Sequence, residues 1–104
     1  MDTTIFEALA DENRAAIVEL LADGERCVCD VSASLGISNA LASHHLKKLR
    51  EAGLVATRRK GSWLHCRLER DALAAAVSEL SELAERGARA GEVDVSCCRG
   101  TTHD

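Results

Sequence analysis

The residues that offer the most chemistry in this chain are its cysteines, and two of them, Cys27 and Cys29, are separated by a single residue. Thiols this close in sequence cannot easily form a disulfide with each other, but both can approach one ion. Soft sulfur ligands select cadmium, lead, mercury, trivalent arsenic or zinc over magnesium and calcium. The pair also lies at the predicted start of a helix, where the thiolate form is favoured. The motif therefore predicts a soft-metal site.

Two sulfurs do not complete such a site, because soft ions of this kind typically take about three or four ligands. The other cysteines are Cys66, in a predicted strand, and the neighbouring Cys97 and Cys98 near the end of the chain. We expect Cys97 and Cys98 to close the site, either within one protomer or across a dimer. Cys66 shares a strand face with Leu64 and Leu68, so we expect it to be a buried packing residue.

The histidines are weaker candidates for metal ligands. We expect His45 to pack at the base of a helix and His44 to face a nucleic acid, while His65 and His103 show no specific pattern. An odd number of cysteines in a chain that starts without a basic and apolar leader favours metal binding or reactivity over disulfides. The same start, together with the lack of a long apolar stretch, leads us to expect a cytoplasmic protein that does not enter a membrane.

Hydrophobic periodicity predicts five helices that would position these residues. They cover residues 5–9, a segment capped by Asp11 and stopped by Gly24, residues 28–35, a segment from Ser38 or Asn39 to about Ala52, and residues 71–86. Gly36 makes a tight turn between the third and fourth helices, which is the helix-turn-helix layout. Residues 54–59 and 62–68 are predicted to form two strands of a hairpin with a basic tip, the wing.

The predicted fold is therefore mainly α with a small β-hairpin, a winged helix-turn-helix. A chain of 104 residues buries only part of its apolar surface, and the last helix carries a continuous apolar stripe. We accordingly expect a homodimer that forms through the terminal helices. We expect residues 1–87 to form one DNA-binding and dimerisation domain, and residues 88–104 to form a flexible tail that carries Cys97 and Cys98.

The net charge of −4 is distributed unevenly along the chain. Residues 37–67 hold seven basic residues against the single acid Glu51, whereas both flanking segments are acidic. A basic stretch that coincides with a helix-turn-helix and a wing predicts DNA binding, although an isolated charge run is usually a solvated face. Short polar side chains would read base edges and long cations would hold phosphates. The predicted DNA-binding residues are Ser38, Asn39, Ser43, His44, Lys47, Lys48, Arg58, Arg59 and Lys60.

The residues from Ile5 to Leu83 resemble the ArsR/SmtB family of metalloregulatory repressors. The matching motifs are Ala8-Leu9-Ala10-Asp11, Arg26-Cys27-Val28-Cys29-Asp30-Val31, Ala42-Ser43-His44-His45-Leu46-Lys47-Lys48-Leu49 and Arg59-Lys60-Gly61-Ser62-Trp63. The resemblance implies a homodimer that represses a metal-resistance operon from a palindromic operator when metal-free. It further implies that the dimer leaves the DNA when the metal binds.

The resemblance also bears on which metal is sensed. Arsenic sensors of the best-known layout have a third cysteine where this chain has Ser32, so the motif is more similar to the cadmium and lead branch. That branch draws further thiols from an N-terminal arm, which has no cysteine here, and Cys97 and Cys98 would replace them. Cd(II) or Pb(II) is therefore the favoured inducer, with As(III) or Sb(III) second. The zinc branch uses Asp and His ligands on the last helix, and residues 71–86 contain no histidine, so we expect that site to be absent.

Two other functions fit parts of this pattern. A thiol oxidoreductase would need cysteines with a different spacing in a strand-helix repeat, so we do not expect an enzyme. A redox-sensing repressor of the same fold is the main alternative, in which oxidation of Cys27 with a tail thiol would replace metal binding. No organic cofactor is expected in either case.

Overall fold

The computed structural model describes residues 1–91 of the chain, which form five helices and a small three-stranded antiparallel sheet. The elements in chain order are α1 (Thr4–Leu9), α2 (Glu12–Leu21), β1 (Arg26–Cys27), α3 (Val28–Leu35), α4 (Asn39–Glu51), β2 (Val55–Lys60), β3 (Trp63–Leu68) and α5 (Arg70–Ala90). The predicted fold class, mainly α with a β-hairpin wing, is confirmed.

The helix ends follow from local chemistry. Asp11 caps α2, because its Oδ2 accepts a hydrogen bond from the Arg14 backbone N–H at 3.0 Å. Gly36 ends α3 in the left-handed region, with φ of 67°. The Ile37 N–H then donates to the Ser32 carbonyl at 3.1 Å, which closes the turn between α3 and α4. These two helices form the helix-turn-helix.

The wing is a hairpin of β2 and β3, with Lys60 opposite Trp63 across the turn. Gly61 takes a positive φ of 61°, as the first position of a tight hairpin turn requires. Strand β1 is two residues long, pairs Arg26 with Cys66 on β3 and was not predicted from the sequence. Because of this pairing, Arg26, which directly precedes the thiol motif of Cys27 and Cys29, is hydrogen-bonded to the wing.

The core lies where α2, α3 and α4 meet the sheet. Its largest fully buried side chains are Ile17, Val31, Leu49, Leu54 and Cys66. One of these residues comes from each of α2, α3, α4 and β3, so burial of the core fixes the relative positions of the thiol motif, the fourth helix and the wing.

Helix α5 is longer than predicted, because it continues past Gly87 to Ala90. Along its 21 residues only Ala76 is buried, and the apolar Val77, Leu80 and Leu83 are 56%, 46% and 39% exposed. An apolar stripe left open on one chain agrees with the predicted dimer contact. Within residues 1–91, no helix is both long and apolar enough to cross a membrane.

Replacing the α2 cap provides a test of the fold. We expect Asp11→Ala to lower Tm by about 5 °C at fixed protein concentration, because the first turn of α2 loses its side-chain acceptor. The hydrogen bond from the Arg14 N–H lowers the pKa of Asp11, so this stabilisation is present at neutral pH and is lost as the pH falls through the lowered pKa. In thermal melts, the difference in Tm between the variant and wild type should therefore decrease as the pH is lowered. The control is Asp23→Ala, a substitution at an exposed position. An equal decrease in Tm for this variant would contradict the capping role of Asp11.

Candidate metal centre and nucleic-acid interface

Cys27 and Cys29 lie at the start of α3, where Cys27 is the extended N-cap residue and Cys29 is the second helical residue. Ligand atoms of Cys27, Cys29 and Asp30 all lie within 4.8 Å of one another. Both cysteines are half-buried and neither is in a disulfide. The two sulfurs and one carboxylate can therefore reach a single ion.

Asp30 was not among the predicted ligands. It directly follows Cys29 in the first turn of the helix, and this adjacency was the available sequence signal. A set of sulfur donors with one carboxylate oxygen suits a thiophilic divalent ion better than magnesium or calcium. The chemistry of the donor set therefore fits the soft-metal site that the sequence predicts.

The expectation that the helix start would hold Cys29 as a thiolate is wrong. The pKa of Cys29 is raised, first because its thiol is hydrogen-bonded to Cys27, then because of partial burial and the nearby negative charge of Cys27 and Asp30. These effects outweigh the hydrogen bond from the Asp30 backbone, which lowers the pKa. A metal that binds Cys29 must therefore displace a proton.

Cys66 lies outside this group and belongs to the core. Its thiol is fully buried and donates a hydrogen bond to the Arg26 carbonyl at 3.2 Å. Burial raises the pKa of Cys66 to about 11. The predicted packing role is confirmed. Cys97 and Cys98 lie outside the described residues, and their role in closing the site stays a prediction.

A cavity of about 260 Å³ joins the thiols to the elements that are predicted to contact DNA. Its walls are formed by Cys27, Val28, Cys29, Asn39, Ser43, Trp63 and Leu64. Asn39 and Ser43 belong to α4, and Trp63 and Leu64 belong to the wing strand β3. A ligand on the two cysteines would therefore adjoin both the fourth helix and the wing.

Helix α4 separates its residues into a buried and an exposed face. Ala42, His45, Leu46 and Leu49 are buried, whereas the predicted DNA-binding residues of the helix are exposed. These exposed residues are Asn39, Ser43, His44, Lys47 and Lys48. Ser38 is also exposed, and its Oγ accepts a hydrogen bond from the Leu41 N–H at 3.0 Å as the N-cap.

The two adjacent histidines differ as predicted, since His44 is exposed and His45 is packed inside. The His45 ring lies near α2, with Nε2 3.5 Å from Asn13 Nδ2 and Nδ1 3.8 Å from Asp11 Oδ2. His45 therefore connects α4 to the start of α2 and does not reach the thiol cavity.

The wing cations contact Glu25, which was not among the predicted functional residues. Glu25 Oε2 lies 3.2 Å from Arg58 Nη2, 4.0 Å from Lys60 Nζ and 3.3 Å from His65 Nδ1. The hydrogen bond from Arg58 is the main reason that the pKa of Glu25 is lowered. Arg58 and Lys60 remain about half exposed, at 53% and 55% of their side chains. They are available to an external anion only in competition with Glu25.

The sequence is similar to those of known bacterial regulatory proteins. The profile described as "Bacterial regulatory protein, arsR family" matches residues 11–57. The arsenical resistance operon repressor of Bacillus subtilis is 36% identical over 94 residues, which cover 89% of this chain and 86% of that protein. The corresponding Escherichia coli repressor is 49% identical over 65 residues, which cover 62% of this chain and 56% of that protein. A Staphylococcus aureus cadmium resistance regulator, a CadC homologue, is 39% identical over 66 residues, which cover 62% of this chain and 54% of that protein.

The chain thus spans just over half the length of the E. coli and S. aureus relatives. Two solved structures have similar folds. An ArsR family transcriptional regulator, RHA00566, superposes with a TM-score of 0.74 at 26% identity, covering 80% of this chain and 91% of that one. A homodimeric winged helix-turn-helix domain from Mycobacterium bovis gives a TM-score of 0.66 at 28% identity, covering 88% and 85%.

Proposed function

Because the chain belongs to the ArsR family of bacterial regulatory proteins, we propose that it is a homodimeric transcriptional repressor. In this proposal the metal-free dimer binds a palindromic operator, and a soft metal ion on Cys27 and Cys29 releases it. The observation that carries the proposal is the cavity in which both thiols adjoin α4 and the wing. A binding event there lies beside the residues predicted to contact DNA.

The inducer is a thiophilic ion. Asp30 adds an oxygen donor to the two sulfurs, which suits Cd(II) or Pb(II). As(III) or Sb(III) is the second candidate inducer, because these ions prefer ligands that are all sulfur and Ser32 supplies no sulfur. Because the relatives include proteins named for arsenical resistance and for cadmium resistance, the experiment below includes both classes of ion. Cys97 and Cys98 are the proposed source of the remaining sulfurs.

DNA recognition rests on α4 and the wing. The exposed start of α4 presents Ser38, Asn39, Ser43 and His44 to base edges, and the later Lys47 and Lys48 contact phosphates. The wing adds Arg58, Arg59 and Lys60 at the neighbouring groove. Two copies related by a twofold axis would place their α4 helices in successive major grooves about 34 Å apart, which is why the operator is palindromic.

The homodimer uses the open apolar stripe of α5. Val77, Leu80 and Leu83 recur at helical spacing and are exposed on the single chain. Pairing with the same helix of a second copy removes this surface from water, and a twofold axis lets one stripe serve both protomers.

Release requires that the metal bind the DNA-free conformation more tightly than the DNA-bound one. Movement of Cys29 shifts the start of α3, which packs directly on α4. Since both copies of α4 must fit the operator together, a small change in their angle weakens binding.

The test uses reduced protein under anaerobic conditions, with an operator fragment selected by the metal-free dimer from a random-sequence duplex library. Cd(II), Pb(II), Zn(II) and arsenite are titrated in turn while fluorescence anisotropy follows the DNA. The single tryptophan, Trp63, lines the thiol cavity, so its emission reports occupancy independently. Thiolate-to-metal absorption that rises in step with DNA release supports the proposal. Saturation of the thiols by every metal with the DNA still bound would reject it.

The wing assignment has its own test. We expect Arg58→Ala with Lys60→Ala to weaken operator and unrelated DNA alike, by about tenfold each, and to flatten the dependence of affinity on salt. Both phosphate contacts are lost, and Glu25 is left without its two cationic partners. Anisotropy titrations over a range of salt concentrations measure this.

The matched control is Arg67→Ala, which removes a β3 cation that is paired with Glu69 at 3.3 Å. It should bind as wild type. If the double variant also binds the operator like wild type at moderate salt, the wing does not contact DNA.

A further inference from the structure

Ser32 is a buried polar residue of α3 and is only 7% exposed. Its Oγ lies 3.0 Å from the Cys29 carbonyl oxygen and 2.5 Å from Asn39 Oδ1. Its own carbonyl accepts the Ile37 N–H that closes the turn into α4. One residue therefore contacts the thiol motif, the turn and the first residue of α4.

The hydroxyl of Ser32 has a single proton for two acceptors. The proton is shared between Cys29 O and Asn39 Oδ1, so a shift of either acceptor changes the bond to the other. Both contacts are partly shielded from water, where an unmet polar group is costly. The Ser32 hydroxyl therefore connects the backbone of Cys29 to the side chain of Asn39.

Asn39 lies where such a change would affect DNA binding. It is the first residue of α4, its side chain is bonded to Ser32, and it lines the same cavity as both thiols. It is also exposed among the residues predicted to read base edges. The orientation of its amide is thus set from the side of the thiol motif.

We propose that Ser32 is a positioning residue that couples thiol ligation to DNA release, through its shared hydrogen bond between Cys29 and Asn39. The inference rests on the proposed function and identifies the contact through which it works. Ser32 occupies the place at which the best-known arsenic sensors have a third cysteine, and here its side chain is hydrogen-bonded to Asn39 and the Cys29 carbonyl. Its contribution is to the coupling between sites, not to metal affinity.

The test is Ser32→Ala, compared with wild type as the full chain in Cd(II) titrations. Three quantities are measured: operator affinity without metal, Cd(II) affinity without DNA, and operator affinity at saturating Cd(II). We expect the first two to stay within about fivefold of wild type. We expect the Cd(II)-induced loss of operator affinity to shrink by about tenfold, the effect of removing one buried hydrogen bond. A purely structural role would lower Tm without changing this ratio.

Two further variants sharpen the result. Ser34→Ala removes an exposed hydroxyl from the same helix and should leave the ratio unchanged. In a double-mutant cycle, Asn39→Ala also lowers the operator affinity without metal, since Asn39 is proposed to read base edges, so the diagnostic result is that adding Ser32→Ala to Asn39→Ala lowers the ratio no further. If the losses add, or if Ser32→Ala keeps the wild-type ratio, the coupling role is wrong. If wild type itself does not release the operator, the proposed function fails instead.

Discussion

Cys29→Ser is expected to leave the operator affinity of the metal-free protein unchanged and to abolish release by metal. The substitution replaces a soft sulfur by a hard oxygen of similar size at a half-buried position, so the fold is retained. The metal concentration that releases half of the DNA should rise by more than about 100-fold, since loss of a ligand exceeds the loss caused by removing a group that supports one. Anisotropy with the selected operator and increasing Cd(II) measures this.

Cys66→Ser is the matched control, because this thiol is buried outside the ligand group and serine keeps the donor to Arg26. It should respond to metal nearly as wild type. Replacing Cys97 and Cys98 together by serine should weaken metal binding with a smaller loss of response. If Cys29→Ser protein still leaves its operator at the wild-type metal concentration, the inducing site lies elsewhere, and Cys66 with the tail thiols becomes the first alternative.

Leu80→Asp is expected to convert the dimer into a monomer and to weaken operator binding by at least about 100-fold. The variant places a carboxylate in the exposed stripe of α5, where dimerisation would have to bury it. A monomer also loses the second, effectively intramolecular contact with the palindrome. Sedimentation measures the mass, circular dichroism checks that helices remain, and anisotropy measures the affinity.

Ser81→Asp introduces the same charge at the next residue of α5, which is an exposed polar position. It should remain dimeric and bind the operator normally. If Leu80→Asp protein stays dimeric at low micromolar concentration, α5 is not the principal dimer contact, and the apolar stripe needs another explanation.

Most of the fold could be predicted from the sequence, because its signals are local. Asp11 is a short acceptor before a periodic segment, Gly36 follows the last apolar residue of α3, and Gly61 lies between two alternating strands. Strand β1 could not be predicted, since two residues carry no periodicity and their pairing partner is far along the chain. The end of α5 was missed because Gly87 resembles a stop signal, yet the helix continues through it.

The candidate site was predictable in part. The spacing of Cys27 and Cys29 identified the thiol pair, and the alternation around Cys66 identified its packing role. The raised pKa of Cys29 was not predictable, because it depends on a hydrogen bond between the two thiols that outweighs the helix start. The contact of Glu25 with Arg58 likewise joins residues distant in sequence, and no local pattern indicates such a pair.

The contact between Glu25 and the wing also gives the protein an internal counterion. If Arg58 and Lys60 bind DNA phosphates as proposed, they must first leave the Glu25 carboxylate, and the loss of this contact offsets part of the electrostatic gain. We therefore expect the wing to add less to the affinity for unrelated duplex DNA than two unpaired cations would. On a chain with a net charge of −4, we therefore expect weak affinity for unrelated DNA, so that the proposed contacts of α4 determine which sequence is bound.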